Sequence, residues 1–235
     1  MMTDFYANDI HPITQEPTTF LTYLGREMFS LYDQLSTINV DLRDYLGSYN
    51  DGPTLAELKP IPAKGIADEV LSETSQTREN LRVGSAEIER DDSDVVIHLS
   101  ARYKPDDQDA YETDRWGYTE TDPIPAMRLT DLTDTEAALI EAFVPVAVEE
   151  AGGFANFRET ATKTNSLVDR LEALTLPDPD DVEDGLERYV EARDRAAELD
   201  AKIERTDDLI DEIVYDLYGL TDEEIEIIES AVQDD

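Results

Sequence analysis

Two stretches of the chain carry apolar residues at alternating intervals of three and four. The first runs Leu21, Leu24, Met28, Leu31, Leu35, Ile38, Leu42, Tyr45. The second runs Tyr189, Ala192, Ala196, Leu199, Ile203, Thr206, Ile210, Ile213, Leu217. A seam of this kind is the narrow stripe by which one helix docks along another. The pattern predicts one long helix over 17–46 and a second of similar length over 187–218. Each stripe needs a partner. The economical arrangement pairs the two as an antiparallel stalk; the alternative packs each onto a core built by the residues between them. Gly25 lies off the first seam and costs about 1 kcal/mol relative to alanine. Close approach of a neighbour is the reason we expect for it.

The residues between the seams read differently. Residues 48–80 are rich in loop signals, with Pro53, Pro60, Pro62 and Gly65 and a short helical turn over 66–71. Alternation then takes over. Leu81, Val83, Ser85, Ala86 and Ile88 precede the turn Asp91-Asp92-Ser93-Asp94, and Val95, Ile97, Leu99, Ala101 and Tyr103 follow it. This is an antiparallel hairpin over 81–104 with one wet face. Further strands are expected over 116–119 and 126–129. Thr133 and Glu136 form a capping box that opens a helix over 134–151, with Pro145 inside it. After Gly152-Gly153, a helix is expected over 154–175. The fold class is therefore α+β and mainly helical. A polar lead-in (1–16) and a stalk helix (17–46) precede an α+β head (47–180), and 181–235 holds the second stalk helix with a short capped helix at its end.

That end is the most explicit punctuation in the chain. In Leu209 to Ile228, Gly219 follows Tyr218 and is suited to the left-handed conformation that closes a helix. Thr221 and Glu224 form a capping box for the next helix, with Leu220 and Ile225 placed as a hydrophobic staple. Read as words, V-Y-D-L-Y-G-L-T-D-E-E-I (214–225) resembles the C-terminal end of type IIG restriction–modification methylases. It is also similar to the adenine-specific DNA methyltransferases of BREX/Pgl-type phage-exclusion systems. A looser likeness runs through F-L-T-Y-L-G-R-E-M-F-S-L (20–31) and G-G-F-A-N-F-R-E-T-A-T-K-T-N-S-L (152–167). The resemblance touches most of the chain but only the tail of the family protein.

Charge changes the picture next. The 57 acidic residues against 19 basic ones give a net charge of −38, with 40% apolar residues. High charge with low hydrophobicity resists collapse. Here the acids are interleaved with periodic Leu, Ile and Val, which favours a folded protein from a halophile. At about 1 M salt the Debye length is roughly 3 Å, and self-repulsion is screened. Cysteine is absent, which removes disulfides and thiolate sites. The acidic N-terminal residues lack a signal-peptide layout. The longest apolar stretch, 142–148, contains Pro145 and is too short to span a bilayer. A cytoplasmic protein without membrane contact is expected.

A methyltransferase of the resembled family needs an Asn/Asp-Pro-Pro-Tyr/Phe turn and a glycine-rich loop for S-adenosylmethionine. No Pro-Pro pair and no G-x-G occurs. Pro105-Asp106 and Pro177-Asp178 supply only half of a nuclease metal motif. His11 and His98 are the only histidines, so neither a transition-metal site nor a catalytic constellation is expected. Two groups stand out from the acidic background. Residues 154–171 carry Arg158, Lys163 and Arg170 against two acids, with Asn156 and Asn165 able to contact phosphate or base edges. Arg102, Lys104, Arg115, Trp116 and Tyr118 mix cations with aromatics; the alternative is ordinary surface polarity with Trp116 in the core. The resemblance implies a non-catalytic DNA-recognition or spacer segment. It would act on double-stranded DNA through a methyltransferase partner that holds the S-adenosylmethionine. On this reading the chain is either a split subunit or a truncated remnant. The competing expectation is a coiled-coil assembly or adaptor protein that never touches DNA.

Overall fold

The structure, a computed structural model, describes residues 17–62, 69–78, 80–107, 110–149 and 162–233. It is α+β. The chain divides into two compact units, Met1–Val40 with Val190–Asp235, and Asp41–Tyr189.

In the first unit, helix α1 spans Pro17–Ser36. The hydroxyls of Ser36 and Thr37 bond the carbonyls of Asp33 (2.8 Å) and Gln34 (2.7 Å). Such side chains offer the backbone an alternative to the helix ladder, and the poorly helical Thr37-Ile38-Asn39-Val40 does not restore it. The helix expected over 17–46 is therefore two helices. Asp41, at the start of the second unit, caps α2 (Leu42–Leu46), accepting the Arg43 N–H at 3.1 Å. Helix α5 spans Pro179–Tyr218, starting well before the expected 187. Pro179 suits a first helical position, and the Asp178 carboxylate takes the Asp180 N–H at 3.0 Å. Leu31, Leu199 and Ile203 form one buried cluster, against which Met28, Leu35 and Ile38 pack. Among the described residues no neighbouring atom lies within 4 Å of a Cβ placed at Gly25, so close packing between them does not explain that glycine.

Helix α5 ends as its sequence requires. Gly219 has φ +66°. Its N–H bonds the Asp216 carbonyl (3.1 Å), and the Leu220 N–H bonds that of Tyr215 (3.0 Å), the paired closure of a Schellman motif. Thr221 and Glu224 then exchange side-chain-to-backbone bonds of 2.9 and 3.4 Å at the start of α6 (Asp222–Gln233).

The second unit is built on antiparallel strands. β3 (Arg82–Asp91) and β4 (Asp94–Tyr103) form the hairpin, and β6 (Ile124–Leu129) lies on the other edge of β4. β2 (Ile61–Pro62) extends the sheet beyond β6, and β5 (Thr119–Glu120) pairs with the end of β4. A separate small pair joins β1 (Asp51–Thr54) to β7 (Thr175–Pro177). Helix α3 (Asp134–Glu149), opened by the Thr133–Glu136 box at 2.8 and 3.2 Å, lies against the hairpin. Val95, Ile97 and Leu99 of β4 are buried with Leu139, Ile140 and Phe143 of α3. Gly185 lets the start of α5 meet α2, since a Cβ there would sit 2.2 Å from the Tyr45 carbonyl oxygen. No helix among the described residues is long and apolar enough to cross a membrane.

Residues 162–166 are not helical. The helix expected over 154–175 is, within the described residues, only α4 (Leu167–Glu172), opened by a Ser166–Asp169 capping box with bonds of 2.8 and 3.1 Å. Residues 154–161 of that expectation lie outside the described residues.

Candidate nucleic-acid interface

Alternation along β4 sends Val95, Ile97, Leu99, Ala101 and Tyr103 to the core and leaves His98, Ser100 and Arg102 on the opposite face. On β3, Ala86 faces the core with Leu99. The register slips between Val83 and Ala86, so that Arg82 lies opposite Arg102. This bulge moves Arg82 to the outer face of the sheet. Gly84 makes room for it: a Cβ there would fall 2.4 Å from Ser100 Oγ and 2.1 Å from Glu120 Oε1. In that space Ser100 Oγ accepts the Ser85 N–H (2.7 Å) and donates to Glu120.

A ring of cations forms around this corner. The Arg82 guanidinium lies 4.3 Å from the Tyr118 ring centroid, with Arg102 and Lys104 each at 5.1 Å. Arg115 lies 4.9 Å over Trp116, whereas Arg78 lies 4.4 Å over Tyr103, the ring that alternation sends to the core side. Cations over aromatic faces contribute about 0.5–1 kcal/mol each when exposed. Two of the five are also paired with acids: Arg78 with Glu73 (2.6 and 3.0 Å) and Arg102 with Asp114. Arg82, Lys104 and Arg115 have no carboxylate partner among the described residues. The Arg78 guanidinium beside Glu73 holds that carboxyl below its usual range.

The aromatics are presented by a tight turn. The Asp114 carboxylate accepts the backbone N–H groups of Trp116 (2.8 Å) and Tyr118 (2.9 Å). The Asp114 N–H bonds the Tyr118 carbonyl and the Gly117 N–H bonds the Asp114 carbonyl, both at 2.8 Å. Gly117 supplies the positive φ of +76° that the turn requires. The Tyr118 N–H, then the Trp116 N–H and Arg102, hold the Asp114 carboxyl below its usual range against a desolvation penalty. Trp116 is 63% exposed at this turn and is not a core residue.

Of the residues expected to touch DNA, the structure gathers Arg102, Lys104, Arg115 and Trp116 at one corner. Arg82 joins them and was missed by sequence reading. The other group is not assembled. Asn156 and Arg158 lie outside the described residues. Lys163 is exposed on the turn over 162–165, where Thr162 Oγ1 accepts the Asn165 N–H at 3.2 Å. Arg170 is only 6% exposed. It reaches Ser75 Oγ and the Thr162 carbonyl, both at 3.3 Å, and burial lowers its pKa. It fastens that turn to α4 rather than reaching outward. His98 sits beside a shallow open depression lined by Glu87, Glu89 and Pro123. Among the described residues no three His, Asp or Glu side chains converge as metal ligands.

No family model matches the chain, and neither curated proteins nor solved structures give a match.

Proposed function

We propose that the chain is a non-catalytic nucleic-acid-binding module that engages DNA alongside a catalytic partner, an adenine-specific methyltransferase of a restriction or phage-exclusion system. The observation that carries the binding half of this reading is the corner at Tyr118. Four of the chain's 19 basic residues, Arg82, Arg102, Lys104 and Arg115, lie there on the rings of Tyr118 and Trp116, in a molecule of net charge −38. Phosphate contacts fix position and base contacts specify. Cations held on aromatic faces suit the first role, and the exposed indole suits the second. The partner half rests on the resemblance of residues 214–225 alone. S-adenosylmethionine and the methyl-transfer chemistry belong, on this reading, to the partner.

The test is reconstitution. The purified chain with S-adenosylmethionine and DNA should transfer no methyl group. Addition of an adenine-specific methyltransferase that pairs with it should give methylation that Arg82→Gln combined with Lys104→Gln reduces. Full methylation with that double variant would remove the corner from DNA contact.

A second reading, an assembly module, is favoured by the helical unit. Leu217 and Tyr218 are exposed at the end of α5, Ile227 and Ile228 on α6, and Tyr23, Phe29 and Tyr32 on α1. The Leu31–Leu199–Ile203 cluster and the 3.3 Å bond from Arg195 to Gln34 support an antiparallel pairing of α1 with the C-terminal half of α5. Such a pair would be the surface through which a partner is held. Loss of partner binding by Phe29→Ser with Tyr32→Ser, while DNA contact persists, is the result this reading expects.

A further inference from the structure

We propose that Trp116 and the cations at Tyr118 form a site for an unstacked nucleotide, so that the ligand of this corner is single-stranded nucleic acid rather than an intact duplex. The inference rests on the nucleic-acid reading above and narrows it. An indole that is 63% exposed is held by a turn whose backbone is pinned twice by one carboxylate. Arg115 lies over its ring, and most of the residue remains open to solvent. A duplex keeps its bases stacked inside and offers such a ring only edges and phosphates. A single strand offers the flat face of a base, and aromatic side chains flanked by cations bind it by stacking.

The charges fit the same ligand. Arg82, Lys104 and Arg115 flank the two rings of the turn, and no described carboxylate neutralises them. Arg82 and Arg102 stand opposite each other in the ladder, although like charges placed so are destabilising. A polyanion passing over Tyr118 offsets that repulsion with its phosphates and brings a base to Trp116. An acidic peptide would satisfy the cations but leave the indole without a stacking partner.

Trp116 is the only tryptophan in the chain, so its emission reports this site alone. The full chain is titrated with a short oligothymidylate, with a duplex of equal length, with tripolyphosphate and with poly-glutamate. The KCl concentration is the lowest at which circular dichroism shows the chain folded. Saturable quenching by the single strand, without quenching by the other three, is the expected result. Trp116→Ala should weaken binding of the labelled single strand roughly tenfold by anisotropy, with Trp116→Phe recovering part of it. Arg82→Gln should reduce the salt slope by about 0.7. Duplex binding with unchanged Trp116 emission overturns the inference and leaves the nucleic-acid reading standing. Binding of neither strand form overturns both. Quenching by poly-glutamate equal to that by the single strand assigns the corner to an acidic peptide and overturns both as well.

Discussion

Arg82 and Arg102 face each other across the β3–β4 ladder, and both guanidinium groups lie over the ring of Tyr118. Opposed like charges weaken a cross-strand pair, and opposite charges strengthen it, by roughly 0.2–1 kcal/mol. Arg82→Glu would convert one into the other while giving up a cation–π contact of about 0.5–1 kcal/mol. The two effects nearly cancel. The variant should therefore melt close to the parent and lose nucleic-acid binding. A large drop in melting temperature would show that Arg82 is kept for stability.

The bulge that brings Arg82 to the outer face depends on Gly84. A Cβ at 84 would press on Ser100, whose residue is 1% exposed and cannot retreat. Gly84→Ala should destabilise by about 1–3 kcal/mol, the range for overpacking a filled site. Denaturant titration reads this directly. Binding should fall further than the loss of stability accounts for, because the register that places Arg82 opposite Arg102 is disturbed. Unchanged stability would mean that Ser100 and Glu120 yield freely.

Much of the framework was legible because its signals are local. The turn at Asp91–Asp94 and strict alternation marked the hairpin, and Gly219 with Thr221 and Glu224 marked the α5–α6 junction. The seam residues through Ile213 are buried or half-buried. The break in the first seam was not legible, since the apolar spacing continues through it; only the hydroxyls of Ser36 and Thr37 and the cap at Asp41 reveal it. The small β1–β7 pair was missed because three- and four-residue strands carry no period. The site was half legible. Arg102, Lys104, Arg115 and Trp116 are close in sequence. Arg82 joins them only through the bulge; without it Arg82 would fall opposite Tyr103 and face the core. Gly84 inside a strand was the available signal. Arg170 looked like its neighbours in composition, and its burial depends on distant residues.

Asp114 makes the turn at Trp116 sensitive to acid. Its folded pKa lies below the unfolded carboxylate value of about 3.9. Its contribution is therefore complete above that value and is lost as pH falls through the lower folded value. Trp116 anisotropy should decrease over that interval. Asp114→Asn should remove the transition while leaving the far-ultraviolet signal of the hairpin in place. An identical acid transition in parent and variant would assign the change to global unfolding.

Folding should depend on salt. With 57 acidic and 19 basic residues, repulsion acts over about 10 Å at 0.1 M salt and only about 3 Å at 1 M. Far-ultraviolet circular dichroism should show helix lost as KCl falls from molar to tens of millimolar. Long-range attraction to phosphate is screened under the folded conditions, which leaves short-range stacking and hydrogen bonds as the source of binding. A flat helical signal across the range would show that the acidic surface is not an adaptation to salt.

Two residues on α1 test which face of that helix is buried. Leu31 is 5% exposed in the cluster with Leu199 and Ile203, whereas Phe29, two positions away, is 76% exposed. Aspartate at either position adds the same charge to the same helix, so the electrostatic background and helix propensity are matched. At 31 it removes a core contact and buries an unpaired carboxylate, which costs about 3 kcal/mol or more. At 29 it replaces an exposed ring and should change stability by no more than about 0.5 kcal/mol. Guanidinium or thermal melts at molar KCl should therefore separate Leu31→Asp from Phe29→Asp by most of that difference. Equal melts would mean that the seam is not buried, and the antiparallel pairing of α1 with α5 would fall with it. A larger loss at Phe29 would mean that the exposed ring is covered in solution, as the assembly reading expects of a face that meets a partner.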